Sequence, residues 1–206
     1  MPEAGAICSD ESPTLFPAMA ILKTDKKGEI EATPKDGERK DGFKKGCNCH
    51  GFTFAQGGYE IDNPQVPKIL ADNYKKVAKS AVRVCCIVVY RVKSTPPNPD
   101  VIAHSALIVE ADASGAKTAW GKEGTKQDIG ENSPPESYAQ GASPPMETEY
   151  YERDTTDQLD AATQAALKQA EDDYKQIPEK DRSTKAAKEK AAKLCQLKNT
   201  LIGVIL

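Results

Sequence analysis

The sequence predicts an α+β fold in which a short cysteine-bearing helix packs on an antiparallel sheet, with a helical hairpin at the C-terminal end. A run of apolar, mostly β-branched residues at 84–89 is typical of a strand buried on both faces. Apolar residues recur at three- and four-residue spacing at 64–80 and again beyond residue 155, which indicates amphipathic helices. With 206 residues, of which 38% are hydrophobic, the chain is long enough to bury one ordinary core.

Residues 1–45 are predicted to form an irregular N-terminal arm, because proline and glycine residues interrupt each candidate element. The one element expected there is a short hairpin around Lys26-Lys27-Gly28. A brief helix is then expected to begin at Cys49 and to end before Gly57-Gly58, since glycine is favoured just beyond the end of a helix. An amphipathic helix follows over residues 64–80.

The predicted sheet comes next along the chain. Its first strand covers residues 82–92, its second residues 101–111, and its third begins at Lys117, and the turn residues between them favour an antiparallel meander. Residues 46–124 are therefore the expected core domain. Residues 125–154 contain two Pro-Pro pairs and almost no aliphatic residues, so they are predicted to form a long surface loop or linker.

The last segment, 155–206, is predicted to be the helical hairpin. Thr155 and Gln158 have the spacing of a capping box at the start of its first helix, which Pro178 is expected to end. A second helix is predicted over residues 181–203. This hairpin is expected to pack on the core domain or on a partner.

Charge and hydropathy argue against several functions. A net charge of −3 provides no basic footprint for nucleic acid, and no apolar run is long enough to span a bilayer. The first residues lack the basic start and apolar stretch of a signal peptide, so synthesis in the cytoplasm without classical export is expected. The six cysteines are then expected to be reduced thiols, with Cys85 and Cys86 as core residues and Cys195 in helix packing.

A cysteine nucleophile is suggested by Cys49, at the start of the predicted short helix. A helix N-terminus lowers a thiol pKa and offers N–H donors to an oxyanion, and an imidazole must be near to accept the proton. The chain has only two histidines. Because His50 adjoins Cys49, it would point about 100° away around the helix axis. His104, near the start of the second strand, is therefore the candidate general base.

Other roles for these residues stay open at this stage. Cys49 is also consistent with a buried structural thiol, and His104 with a hydrogen-bonded core histidine. Cys47, Cys49 and His50 together suggest part of a metal site. Their Cys-x-Cys spacing lacks the usual Cys-x-x-Cys pair, however, and no second pair follows, so neither a metal nor a cofactor is expected.

Three short motifs resemble those of the NlpC/P60-type papain-like cysteine peptidases. Asn48-Cys49-His50-Gly51-Phe52-Thr53 is similar to their Asp-Cys-Ser-Gly-Phe-Val motif, Val88-Val89-Tyr90 to their Gly-Asp-Leu-Val-Phe-Phe strand, and His104-Ser105-Ala106-Leu107-Ile108 to their His-Val-Gly-Ile-Tyr strand. The motifs occur in the family's order and cover residues 46–121. The resemblance implies a papain-like α+β fold that cleaves amide bonds, most often in cell-wall peptides, with Cys49 as nucleophile and His104 as general base.

The sequence departs from the family pattern at several positions. Asn48 replaces the aspartate before the cysteine, His50 replaces a serine, and the Gly-Asp that usually opens the first strand is absent. The family's imidazole-orienting residue, a His, Asn or Gln, should come from the strand after His104. Thr118 fits this role by spacing and Glu123 by chemistry, and the sequence does not decide between them.

These observations predict a small cysteine hydrolase, an amidase or endopeptidase acting on peptidoglycan peptides. A compact enzyme of this kind without a signal peptide resembles antibacterial effectors that the type VI secretion system delivers into the periplasm of a target cell. The expected partners are the peptide or protein substrate, an immunity protein and a secretion-machinery component. Two alternatives remain: a deamidase, acyltransferase or protease acting on target-cell proteins, and a non-catalytic binding or adaptor protein on a degenerate papain-like scaffold.

Overall fold

The structure is a computed structural model of the chain, and it describes residues 19–35, 47–95, 97–122, 129–156 and 159–204. These residues form an α+β fold with two antiparallel sheets and several helices, which confirms the predicted class. The five α-helices of the described residues are α1 (Cys49–Phe54), α2 (Val66–Asn73), α3 (Pro135–Gly141), α4 (Ala161–Lys175) and α5 (Lys185–Asn199). None of these helices is both long enough and apolar enough to cross a membrane.

The larger sheet has six strands in the order β4-β9-β5-β6-β7-β8. Its members are β4 (Tyr74–Val77), β5 (Ile87–Val92), β6 (Val101–Asp112), β7 (Gly115–Lys122), β8 (Ile129–Asn132) and β9 (Met146–Arg153). The meander β5-β6-β7 confirms the three predicted strands. The first of them begins at Ile87 rather than at residue 82, because Cys85 takes a left-handed backbone conformation, with φ of 70°, in a turn just before it.

The smaller sheet contains part of the predicted N-terminal arm. It has the order β10-β1-β2-β3, formed by β1 (Ala20–Lys23), β2 (Glu29–Pro34), β3 (Tyr59–Ile61) and β10 (Ile202–Val204). The hairpin expected around Lys26-Lys27-Gly28 is confirmed, with Lys27 at a φ of 63° in the turn. The prediction of an irregular arm is wrong for residues 20–34, since Leu22 and Ile30 are buried in the main core. Residues 1–18 and 36–46 lie outside the described residues.

The structure differs from the prediction in two segments, residues 64–80 and 125–154. The helix predicted over residues 64–80 ends at Asn73, because Tyr74–Val77 pairs with β9 as strand β4. The loop predicted for residues 125–154 is also wrong where the structure describes it, since it contains β8, α3 and β9. Strand β9 lies between β4 and β5, in the interior of the sheet.

Polar contacts explain why hydropathy does not predict strand β9. Its Glu149 forms ion pairs with Lys76 at 2.7 Å and with Arg91 at 2.9 Å, on the two neighbouring strands. Opposite charges across neighbouring strands stabilise their pairing. The strand is therefore stabilised in part by charge pairs that a search for aliphatic residues overlooks.

The C-terminal helices begin and end at other residues than predicted. Helix α4 is capped by Asp160, whose side chain accepts a hydrogen bond from the Thr163 N–H at 2.9 Å, and not by Thr155. Helix α5 ends at Asn199, and the chain then continues into β10 instead of staying helical to residue 203.

A disulfide joins Cys195 of α5 to Cys85, 110 residues earlier in the sequence. The expectation that all six cysteines are reduced is therefore wrong for this pair, because α5 packs across the sheet and brings their Cα atoms to 4.6 Å. Cys49 and Cys86 are buried free thiols, and Cys47 is also buried.

Helices cover the six-stranded sheet on both faces. Helices α1 and α5 pack on one face, where β6 contributes Leu107 and Val109 to the main core cluster. Helix α3 packs on the opposite face, where β6 contributes Ala106 and Ile108 to a second cluster. The side chains of β6 alternate between these two clusters, as the period of a strand requires.

Candidate functional site

Cys49 is the first residue of helix α1, and the neighbouring Asn48 fixes this end of the helix. The Asn48 side-chain oxygen accepts a hydrogen bond from the Gly51 N–H at 2.9 Å, which is the usual geometry of an N-cap. The Asn48 amide also donates to the Ile61 carbonyl at 2.7 Å. The asparagine that replaces the family's aspartate therefore caps α1 and ties it to β3.

His50 is completely buried and has a hydrogen-bond partner at each ring nitrogen. Its Nε2 lies 3.1 Å from Asn63 Oδ1, an oxygen that can only accept, and its Nδ1 lies 2.8 Å from the Ser105 hydroxyl oxygen. Burial lowers the pKa of His50 to about 4, so the ring is neutral at pH 7. These contacts join α1 to β6 and leave neither nitrogen of His50 available to the Cys49 thiol.

His104 lies on β6, opposite Tyr90 of β5. Its ring packs against the rings of Tyr90 and Tyr138, with centroid separations of 5.2 and 5.5 Å. The buried Nε2 has no hydrogen-bond partner among the described residues, and it faces the backbone of Gly121, where an added Cβ would lie 2.8 Å from it. Burial lowers the pKa of His104 to about 3, and this ring too is neutral at pH 7.

Cys49 and His104 line the same cavity, which has a volume of about 540 Å³. They approach it from different sides of the sheet, because α1 covers the face to which Ser105 points, whereas His104 points to the face covered by α3. Among the described residues, no hydrogen bond joins the Cys49 thiol to His104. The structure thus brings the two predicted residues to one cavity without placing them in direct contact.

The environment of the Cys49 thiol disfavours its ionised form. Burial raises the pKa of Cys49 to about 11, and hydrogen bonding from the backbone N–H groups of Ser105 and His50 only partly offsets this effect. The thiol and the His104 imidazole are therefore both uncharged at pH 7. This neutral pair differs from a preformed thiolate–imidazolium pair.

Alkylation of Cys49 by iodoacetamide is expected to be slow at pH 7 and to accelerate about tenfold per pH unit, up to about pH 11. The reason is that only the thiolate reacts, and the raised pKa leaves about one thiol in 10⁴ ionised at pH 7. Peptide mapping by mass spectrometry gives the rate for Cys49 separately from the other cysteines. N-acetylcysteine amide is the control, because its rate levels off near pH 9. A rate for Cys49 that stays constant from pH 6 to 9 would contradict the neutral pair.

The structure describes only one of the two predicted candidates for the imidazole-orienting residue, Thr118 and Glu123. Thr118 is buried, but it pairs with Glu110 and donates to that carboxylate at 2.9 Å. Because Glu110 lies six residues beyond His104 on the same strand, the two sites are about 20 Å apart. Glu123 lies outside the described residues. On β7, the residue that faces the His104 ring is Gly121, which has no side chain to offer.

Asn63 and Tyr138 also line the cavity and are not among the predicted site residues. Asn63 precedes α2 in a short turn, and the only sequence signal there is an Asn-Pro pair, which marks a turn and says nothing about a site. Tyr138 lies in α3, within the segment predicted as a loop.

In the described part of the chain, no three His, Cys, Asp or Glu residues are grouped so that they could hold a metal ion.

Comparisons with known proteins find no relative of this chain. No protein-family model matches the chain, no curated protein matches it, and no solved structure matches its fold. The geometry around Cys49, His50, Asn63 and His104 is accordingly the basis on which a function for this chain can be proposed.

Proposed function

We propose that the chain is a cysteine hydrolase that cleaves an amide bond, with Cys49 as nucleophile and His104 as general base. The observation that carries this proposal is the shared cavity of about 540 Å³, into which residues 55 positions apart in the sequence both open. A cysteine at the first position of a helix and a histidine on a later strand, both lining one cavity, are also what the papain-like resemblance implies. The papain-like core over residues 46–124 is part of this proposal.

The neutral state of both groups determines the order of the chemical steps. Since thiol and imidazole are both uncharged at pH 7, the proton passes from Cys49 Sγ to the His104 ring while the sulfur attacks the substrate carbonyl carbon. The protonated ring then gives the proton to the leaving amine, and water hydrolyses the resulting thioester. Catalytic hydrogen bonds commonly tighten only when substrate binds, so the ring and thiol are expected to approach each other in the complex.

Backbone N–H groups at the start of α1 are suited to the developing oxyanion. The first N–H groups of a helix have no intrahelical acceptor, and those of Cys49 and His50 lie beside the thiol. The next one, of Gly51, is already used by the Asn48 side chain. Asn48 therefore fixes the end of the helix without using the donors nearest the sulfur.

For the substrate and location we propose a peptidoglycan peptide in the periplasm of a target cell, reached through type VI secretion. The Cys85–Cys195 disulfide supports a site of action outside a reducing cytosol, because such bonds persist in oxidising compartments. An immunity protein and a secretion-machinery component are the partners that this delivery route requires.

Replacing Cys49 or His104 by alanine is expected to slow peptide release from purified sacculi by at least about 10³-fold, since each change removes a group that takes part in bond cleavage. Release is measured by chromatography and mass spectrometry of the soluble products. Export of the same variants to the periplasm of a test bacterium provides a second measurement, in which both variants are expected to lose toxicity. Cys86→Ala is the matched control, because it removes another buried thiol that does not line the cavity.

The catalytic assignment is wrong if both alanine variants, shown to be folded by thermal unfolding, release peptides at the rate of the parent protein.

One observation favours a second candidate, a non-catalytic binding protein on the same scaffold. The buried Nε2 of His104 faces Gly121 instead of an orienting side chain, so nothing described fixes the ring's tautomer. This candidate predicts that neither sacculi nor protein substrates are cleaved and that binding survives the Cys49→Ala change.

A further inference from the structure

The described residues that line the Cys49 cavity carry no charge at pH 7. Of the described residues that line it, six are apolar or aromatic: Val92, Ala103, Tyr138, Ala142, Pro144 and Met146. The remaining lining residues are two asparagines, a serine, Cys49 and His104, and the last two are neutral at pH 7. A carboxylate or ammonium group entering this space would lose hydration without meeting an opposite charge on that wall.

Asn63, an exposed residue, contributes its carboxamide to this wall. Its Oδ1 accepts from His50 Nε2 at 3.1 Å, and His50 is itself held by the Ser105 hydroxyl at 2.8 Å. This bond holds the Asn63 carboxamide at its oxygen, and no hydrogen bond joins its Nδ2 to another described residue. Asn48 differs, because both ends of its carboxamide are used by α1 and β3.

We infer that the cavity binds an uncharged acyl or peptidyl segment, and that the Asn63 Nδ2 donates a hydrogen bond to one of its carbonyl oxygens. Asn63 is thus a specificity residue, positioned by His50 through Ser105. This inference rests on the proposed function insofar as Cys49 attacks the bound segment, and in a peptidoglycan peptide it selects a segment that carries no ionised group. The ligand class itself follows from the cavity wall alone. It also gives the buried His50 a role that the catalytic pair does not explain.

Binding is tested on the Cys49→Ala protein, which holds a ligand without cleaving it. Three N-acetylated, C-terminally amidated tripeptides, Ala-Gln-Ala, Ala-Glu-Ala and Ala-Lys-Ala, are titrated and followed by NMR chemical shifts. The glutamine peptide is expected to bind at least about tenfold more tightly than the glutamate or the lysine peptide. Equal or tighter binding of either charged peptide would overturn the inference, and so would the absence of saturable binding by all three.

Asn63→Asp tests the donor itself. Aspartate keeps an oxygen that accepts from His50 Nε2 but removes the Nδ2 donor, so the glutamine peptide is expected to bind about tenfold more weakly. Asn98→Asp is the matched control, because it makes the same substitution at an exposed position outside the cavity. If the two variants bind the glutamine peptide equally well, Asn63 is not the donor.

Cleavage of the same peptides by the unaltered protein separates the two proposals. Selective binding of the glutamine peptide, with no Cys49-dependent cleavage of any amide substrate, would overturn the hydrolase and leave the ligand class in place. Cys49-dependent cleavage that proceeds as fast on the glutamate peptide as on the glutamine peptide would overturn the ligand class and leave the hydrolase in place.

Discussion

Loss of the Cys85–Cys195 disulfide is expected to lower the free energy of unfolding by roughly 4 to 5 kcal/mol. The bond closes a loop of 110 residues, and in the chain-entropy treatment a longer loop restricts the unfolded chain more. It also holds α5 on the main core, where that helix buries Ala191, Ala192 and Leu194. Equilibrium unfolding in urea, with and without a thiol reductant in all samples, measures the difference.

Two variants serve as controls for this prediction. The double variant Cys85→Ala/Cys195→Ala is expected to unfold at the same urea concentration with and without reductant, because it has no bond to reduce. Cys86→Ala removes the neighbouring buried thiol, and it is expected to keep the full effect of the reductant. If the reductant leaves the unfolding of the parent protein unchanged, the Cys85–Cys195 bond does not exist in solution.

Sequence patterns predicted elements whose stability comes from local or aliphatic contacts. The run Ile87-Val88-Val89 is a buried strand because β-branched residues pack well on a pleated surface. The helix at Cys49 begins there because Asn48 can cap it. In both cases the chemistry that decides the structure lies within a few residues of the sequence.

Elements that depend on distant partners were not predictable in the same way. Tyr74–Val77 has helical periodicity but pairs with β9, and its Tyr74 hydroxyl donates to the Asn199 side chain at 3.0 Å, 125 residues away. The Cys85–Cys195 bond likewise depends on where α5 packs, which local spacing does not encode. Tertiary contacts override local preference at these positions.

The sequence predicted two residues of the candidate site, Cys49 and His104, but not how their side chains are oriented. Strand alternation places His104 with Ala106 and Ile108, on the face away from α1. The sequence alone does not say which face of β6 the helix covers, so it predicted a ring held against the helix end. Sequence order nevertheless identified the two residues that reach one cavity. The Asn63 carboxamide and the wall formed by α3 come from segments without a local signal, and for that reason the proposed ligand class rests on the structure and not on the sequence.

Gly51→Ala is expected to lower the free energy of unfolding by at least about 3 kcal/mol. A Cβ at this position would lie 1.7 Å from the Tyr59 carbonyl oxygen, a backbone atom that cannot turn away as a side chain can. Helix α1 would have to move off β3, which breaks the Asn48–Ile61 hydrogen bond of 2.7 Å and displaces Cys49 from the cavity. Urea unfolding measures the stability, and the Cys49 alkylation profile reports on the site.

Gly141→Ala is the matched control for this change, since nothing lies within 4 Å of a Cβ added at that helical glycine. Its free energy of unfolding is expected to stay within about 1 kcal/mol of the parent, because alanine is the better helix former. If Gly51→Ala is as stable as Gly141→Ala, then α1 does not lie against the β3 backbone. The position of Cys49 depends on that contact, so the same result would also remove the basis for placing its thiol in the cavity with His104.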